Sequence, residues 1–184
     1  MRRDDDEDWR QYSEYFAARH QAVRRTAYLM CGDWHWADDL AQTTFVQLAS
    51  AWHTIRDRQA LDAFARTCLI RAYLADARRV WRRRERSFAE PPDLPGLDDG
   101  TETATRRLVF ARALRQLPPR QRVTLICRYY QGLDVAETAV ALGCSEGTVK
   151  SQTARGLASL RRVLGDAADP PPALLCVTGE AGND

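Results

Sequence analysis

The stretch Val135–Leu160, VAETAVALGCSEGTVKSQTARGLASL, decides how the second half of this 184-residue chain folds. It reads as a helix, a short turn and a second helix. Gly143 stands where the first helix must exit in the left-handed conformation, which glycine adopts without a Cβ penalty. Ser145 follows at the N-cap position of the next helix. Ala139 is small enough for a second helix to cross it closely, and Val149 faces back into the angle between the two. Small, Gly and apolar at that spacing suit two helices crossing steeply. Lys150, Ser151, Gln152 and Arg155 are then left on the outer face that a recognition helix offers to the major groove. The blander alternative is a plain helical hairpin with a solvated polar face.

Upstream of this stretch, Leu108, Ala111, Leu114 and Leu117 recur at helical spacing until Pro118-Pro119 stops them. Pro119 suits the first position of a new helix. Val123, Ile126, Cys127 and Tyr130 would face inward along it, and Gly132 would end it. These helices and the helix-turn-helix make a small domain over residues 105–165. Residues 87–104, SFAEPPDLPGLDDGTETA, are rich in Pro, Gly and acids and break every helical pattern, so they read as a flexible linker. Residues 166–184 carry three successive Pro and read as a disordered tail, with one apolar patch at Ala173–Val177.

The net charge of +2 hides a segregation. Arg71–Arg86 holds seven Arg against Asp76 and Glu85, while Asp4–Asp8 and the linker are acidic. A basic block between acidic ones suits a polyanion partner. Lys150 is the only lysine, which with the abundance of Ala points to GC-rich coding rather than to selection for Arg.

A first domain is expected over residues 9–86, after a charged and disordered start. Tyr12, Tyr15, Phe16, Val23 and Ala27 give a first helix, ended by Gly32, and Asp33 can cap a second. In that second helix Ala37, Leu40, Ala41, Thr44, Phe45, Leu48 and Trp52 form one apolar stripe. Asp38, Asp39, Gln42, Thr43 and Gln47 take the other side. Two readings of the acids stay open here: a dipole contribution to the first helical turn, or a docking face extended by Val46 and Ala49. A long third helix runs from about Ala60 to Arg84, with Arg71, Arg78 and Arg82 on one face, Arg79 and Arg83 beside it, and Trp81 inside the run. Arg holds phosphate and aromatic rings stack on unpaired bases. Cations at a helix end also suit the dipole, but seven Arg exceed what capping needs.

Several classes are disfavoured. Cys31, Cys68, Cys127, Cys144 and Cys176 form no C-x-x-C pair, and His20, His35 and His53 have no ligand-spaced partner, so no metal or other cofactor is expected. No apolar run approaches a membrane span and the start is acidic, so the expectation is a soluble, cytoplasmic chain. Neither a phosphate-cradling Gly loop nor a nucleophile–base pair is visible, so no enzyme and no small-molecule substrate is expected. No strand-like alternation appears. The fold class is all-α, two small helical domains on a linker.

Three blocks resemble the sigma-70 family, in its extracytoplasmic-function (ECF) group and nearest the SigE-like branch of actinobacteria. Ala37–Val46, ADDLAQTTFV, is similar to the family's core-binding segment, of the form D-A-E-D-L-V-Q-E-T-F. Phe64–Arg84 resembles the segment that melts and reads the promoter −10 element. Leu114–Arg122, LRQLPPRQR, followed by Gly147–Ser151, GTVKS, resembles the −35-binding domain 4. The resemblance implies that residues 9–86 are sigma domain 2 and residues 105–165 sigma domain 4. It implies core RNA polymerase contacts at Asp38, Asp39, Gln42, Phe45 and Val46, made with the β′ clamp helices, and a further contact of domain 4 with the β flap. It implies −10 contacts from Arg71, Tyr73, Arg78, Arg79, Trp81 and Arg82, and −35 contacts from Thr148, Lys150, Ser151, Gln152 and Arg155. The chain departs from the family where an Asn is common near Arg71 or Ala72, a Trp at Cys68, and an Arg at Gln152. Gln pairs with adenine where Arg prefers guanine.

The implied function is promoter-specific transcription initiation, with core polymerase and promoter DNA as partners and an anti-sigma factor expected of the family. A stand-alone helix-turn-helix regulator would account for the second domain but leave Asp38–Phe45 without a use. A nucleic-acid-processing enzyme would need a third acid beside Asp38 and Asp39 at helical spacing, and none is there.

Overall fold

A computed structural model of the chain describes residues 3–84 and 102–165, with side chains over 6–79 and 109–165. Every regular element among them is helical: α1 (Arg3–Cys31), α2 (Trp34–Ala51), α3 (Leu61–Arg84), α4 (Glu102–Arg115), α5 (Pro119–Leu125), α6 (Val135–Leu142) and α7 (Glu146–Leu164), with single 3-10 turns at Trp52–Thr54 and Arg58–Ala60 and a π turn after α5. The chain divides into two units, Met1–Glu90 and Pro91–Asp184.

In the first unit α1 and α2 form a hairpin against which α3 packs. The hairpin turns at Gly32, whose φ of 75° requires glycine. Asp33 caps α2 by accepting from the Trp36 N–H at 2.8 Å. The apolar stripe read from α2 is buried throughout, including Trp52 just beyond it. Phe45, Leu48, Trp52 and Leu61 form a core joined by Tyr12, Tyr15, Val23, Ile55 and Phe64. Burying each large apolar side chain contributes roughly 1.5–3 kcal/mol. Asp62 of α3 accepts from the Tyr15 hydroxyl at 2.9 Å and from Arg19 at 2.8 Å, tying α3 back to α1.

The expectation of a disordered start and a domain beginning at residue 9 does not hold. Helix α1 reaches back to Arg3. The carboxylate of Asp8 lies 2.7 Å from His53 Nδ1 and accepts from Arg58 at 3.1 Å, so Asp8 ties this turn of α1 to the α2–α3 connection. The partners lie 45 and 50 residues away, which no local pattern reveals.

In the second unit α7 packs against α4, α5 and α6. Pro119 opens α5 at its first position. Arg122 is buried and donates to the carbonyls of Arg115 (2.6 Å) and Leu117 (3.0 Å), which the end of α4 leaves without helical partners. The helix expected to run to Gly132 changes character instead. Ile126–Tyr130 forms a π turn, with Gln131 N–H donating to Ile126 O at 3.0 Å. Gly156 permits close packing of α7: a Cβ there would stand 3.1 Å from Leu125. The linker assigned to residues 87–104 lies outside the described residues up to 101, but Glu102, Thr103 and Ala104 belong to α4. The tail, with its Ala173–Val177 patch, lies outside them altogether.

Candidate nucleic-acid and polymerase interfaces

Three helices carry the residues singled out from the sequence. The first is α7. Before it, α6 is fixed by reciprocal bonds: Glu137 N–H donates to Asp134 Oδ1 at 2.7 Å, and Asp134 N–H to Glu137 Oε2 at 2.8 Å. Gly143 leaves α6 at φ 60°, ψ 46°, the left-handed exit expected of it. Ser145 caps α7, accepting from the Thr148 N–H at 3.2 Å. Val149, Gly156 and Leu160 are buried against the rest of the unit. At about 100° per residue, Ser151 then sits almost opposite Val149, with Lys150 on one flank and Arg155 on the other. Lys150, Ser151 and Arg155 are exposed, while Thr148 and Gln152 are half-buried at the edges of the face. Ser151 Oγ donates back to Thr148 O at 3.0 Å. The sequence reading missed Ala154 and Ala158, exposed between the polar residues. Their short side chains let a surface approach the helix closely, and the i, i+3, i+7 spacing from Ser151 would have located them.

The second helix is α3. Arg71, Arg78 and Arg79 are exposed. Arg78 Nε donates to Leu74 O at 3.2 Å, and Arg79 makes a loose 3.7 Å pair with Asp76. Surface pairs of this kind hold their charges weakly, which leaves Arg79 able to exchange partners. Trp81 and Arg82 continue the helix, but their side chains lie outside those described. Tyr73 is a correction. It is 1% exposed, its ring 5.8 Å from that of Trp36, and so it belongs to the core rather than to a base-stacking surface. Its place in the inward 3.6-residue repeat with Leu69 and Ala77 was the signal. Cys68 is buried too, and burial pushes its thiol pKa up while Arg71 nearby opposes the shift.

The third helix is α2. Asp38, Asp39, Gln42, Thr43, Val46, Gln47 and Ser50 are exposed along one side, and Val46 is 58% exposed, large for an apolar residue. Phe45 is the second correction. It is 2% exposed and packs on Phe16 with ring centroids 4.8 Å apart, so it holds α2 in place and is not offered to a partner. The acids are not explained by the helix dipole, because the first turn of α2 contains none and Asp33 is its cap. Asp38 is bound by Arg24, whose guanidinium holds the carboxyl below the ordinary aspartate range. Also missed was a cavity of about 200 Å³ at the end of α2, lined by Asp8, Trp9, Tyr12, Ala49, Trp52 and His53. Among the described residues no group of three or more His, Cys, Asp or Glu is placed to hold a metal ion. None of the described helices is long and apolar enough to cross a membrane.

Residues 15–84, from α1 through the Arg face of α3, match the description of Sigma-70 region 2, and residues 107–160, from α4 into α7, match Sigma-70, region 4. The chain belongs to the sigma-70 family. Within it, the chain is 35% identical over 156 residues to the RNA polymerase sigma-E factor of Streptomyces coelicolor, covering 84% of this chain and 86% of that one. It is 30% identical over 154 residues to the ECF RNA polymerase sigma factor SigM of Mycobacterium tuberculosis, covering 84% and 77%. Among solved structures, a chain in the complex of the sigma factor RpoE with the anti-sigma factor NepR from Bartonella quintana shares the fold. The TM-score is 0.67 at 22% identity, over 84% of this chain and 96% of that chain. The sigma-70 assignment accounts for both units at once, which a helix-turn-helix regulator would not.

Proposed function

We propose that this sigma-70 member directs promoter-specific transcription initiation, acting wherever core RNA polymerase is. The exposed face of α2 binds core polymerase, with Asp39 and Gln42 as polar contacts and Val46 as the apolar one. Arg71, Arg78, Arg79 and Arg82 hold the phosphates of the −10 region, and Trp81 is the aromatic residue left to stack on an unpaired base. Such stacking contributes roughly 1–3 kcal/mol, enough to help keep a strand open. The outer face of α7, with Lys150, Ser151 and Arg155 and with Thr148 and Gln152 at its edges, reads the −35 element. Each unit thus brings its own DNA-binding face to the promoter. An anti-sigma factor belongs to the proposal as a regulator, as one accompanies the Bartonella protein of like fold.

The observation that carries this reading is the coexistence, in one chain, of the acidic and apolar α2 face with the two cationic helices. A regulator that only binds DNA has no need of the first. Mixing the chain with purified core polymerase tests the point. A stable complex on gel filtration is expected, and Asp39→Arg should abolish it. Normal binding by that variant would remove α2 from the docking role.

A further inference from the structure

Two adjacent acids lie on the outward side of α2, and their surroundings differ. Asp39 is exposed on the same side as Gln42 and Val46. Asp38 is held by α1: Arg24 Nε donates to its Oδ1, and the Arg24 NH2 group donates to its Oδ2 at 3.2 Å. The same guanidinium lies over the Trp34 ring, 4.3 Å from its centroid. Trp34 in turn stacks on Tyr28 with centroids 4.0 Å apart and planes at 16°. Arg24 and Tyr28 are one turn apart on α1, and Trp34 and Asp38 are one turn apart on α2. The two helices are therefore joined at two levels through one planar, forked side chain. A bidentate Arg–carboxylate pair fixes orientation as well as distance. Stacking removes the freedom that an exposed pair normally keeps.

We propose that Asp38 is a positioning residue rather than a contact. Acting through Arg24, it trims the rotation of α2 that the buried stripe sets, and so the direction in which Asp39, Gln42 and Val46 meet core polymerase. The inference rests on α2 being the docking face. It separates two acids that the sequence pattern presents as equivalent. Rotation matters because neighbouring residues on a helix differ by about 100°, so a modest turn carries a contact off its partner.

The test turns on a sign. Removing Arg24 makes this side of the domain more acidic. If charge alone governed docking on a cationic partner, Arg24→Ala would bind core polymerase as well as the parent chain or better. Positioning requires the opposite. Arg24→Ala and Asp38→Ala should each weaken binding of the full chain to purified actinobacterial core polymerase, roughly threefold to tenfold. The double variant should be no weaker than either single one, since both remove the same clasp. Thermal melts should show each variant folded at the assay temperature. Unchanged or tighter binding by Arg24→Ala beside a loss in Asp38→Ala would overturn the inference and make Asp38 a direct contact. Additive losses in the double variant would overturn it as well. Asp39→Arg distinguishes the underlying reading: if that variant binds core normally, the docking face itself is wrong, whatever the clasp variants do.

Discussion

Lys150 and Arg155 flank Ser151 on the outer face of α7, and their separate replacement reports how that face meets DNA. Each Ala variant should weaken promoter binding. A lost base contact costs about 1–3 kcal/mol, whereas a lost phosphate contact weakens all sequences alike and lowers the salt slope by about 1. Mobility shifts at several salt concentrations distinguish the two. If Arg155→Ala binds normally while Lys150→Ala does not, α7 presents a rotated face. Tyr73 answers a different question. As a core residue it should cost roughly 3–5 kcal/mol when cut to Ala, read as a lower urea midpoint for the first unit. An effect on promoter opening without that loss would return it to the −10 surface. The Arg24–Asp38 clasp carries a pH signature. The folded Asp38 carboxyl is depressed below its ordinary value of 3.8. Its contribution is therefore present above that value and lost as pH falls through the folded pKa. Melting temperatures of the parent and Asp38→Asn should differ at neutral pH and converge in acid.

The elements differ in how openly the sequence declares them. The helix-turn-helix was legible because its determinants are local. Gly143 at the left-handed exit, Ser145 at the cap and buried Val149 lie within seven consecutive residues. The Asp134–Glu137 capping box is just as local, though it was not read from the sequence. Asp134→Ala should remove about 0.5–2 kcal/mol, measured as a lower melting temperature of the second unit. The π turn at Ile126–Tyr130 was not legible, since an α-helix and a π turn share the same apolar spacing over one turn. Nor was Gly156, whose use depends on Leu125 in another helix. Gly156→Val should force the two helices apart at a cost of about 1–3 kcal/mol. A variant as stable as the parent by chemical denaturation would show that Leu125 yields freely. Phe45 and Tyr73 show the opposite lesson. Each sits at inward spacing, Phe45 with Leu48 and Tyr73 with Leu69 and Ala77, and a motif resemblance does not separate supporting residues from contacting ones.

At the scale of the whole molecule, composition and patterning placed two helical units around an acidic, Pro-rich segment, because each unit carries its own apolar repeat. What they missed was long-range: Asp8 reaching His53 and Arg58, and Arg24 reaching Asp38. Ion pairs between distant positions leave no periodicity to read. Function likewise belongs to the whole chain, because neither unit alone carries the acidic and apolar face of α2 together with both the Arg-rich α3 and the Lys150–Arg155 face of α7. Run-off transcription with purified actinobacterial core polymerase, on promoter fragments recognised by related ECF factors, tests that argument most directly. The account predicts discrete transcripts starting at one position only when this chain is added, and their loss with Asp39→Arg. Transcripts that are absent, or the same with core polymerase alone, would contradict it.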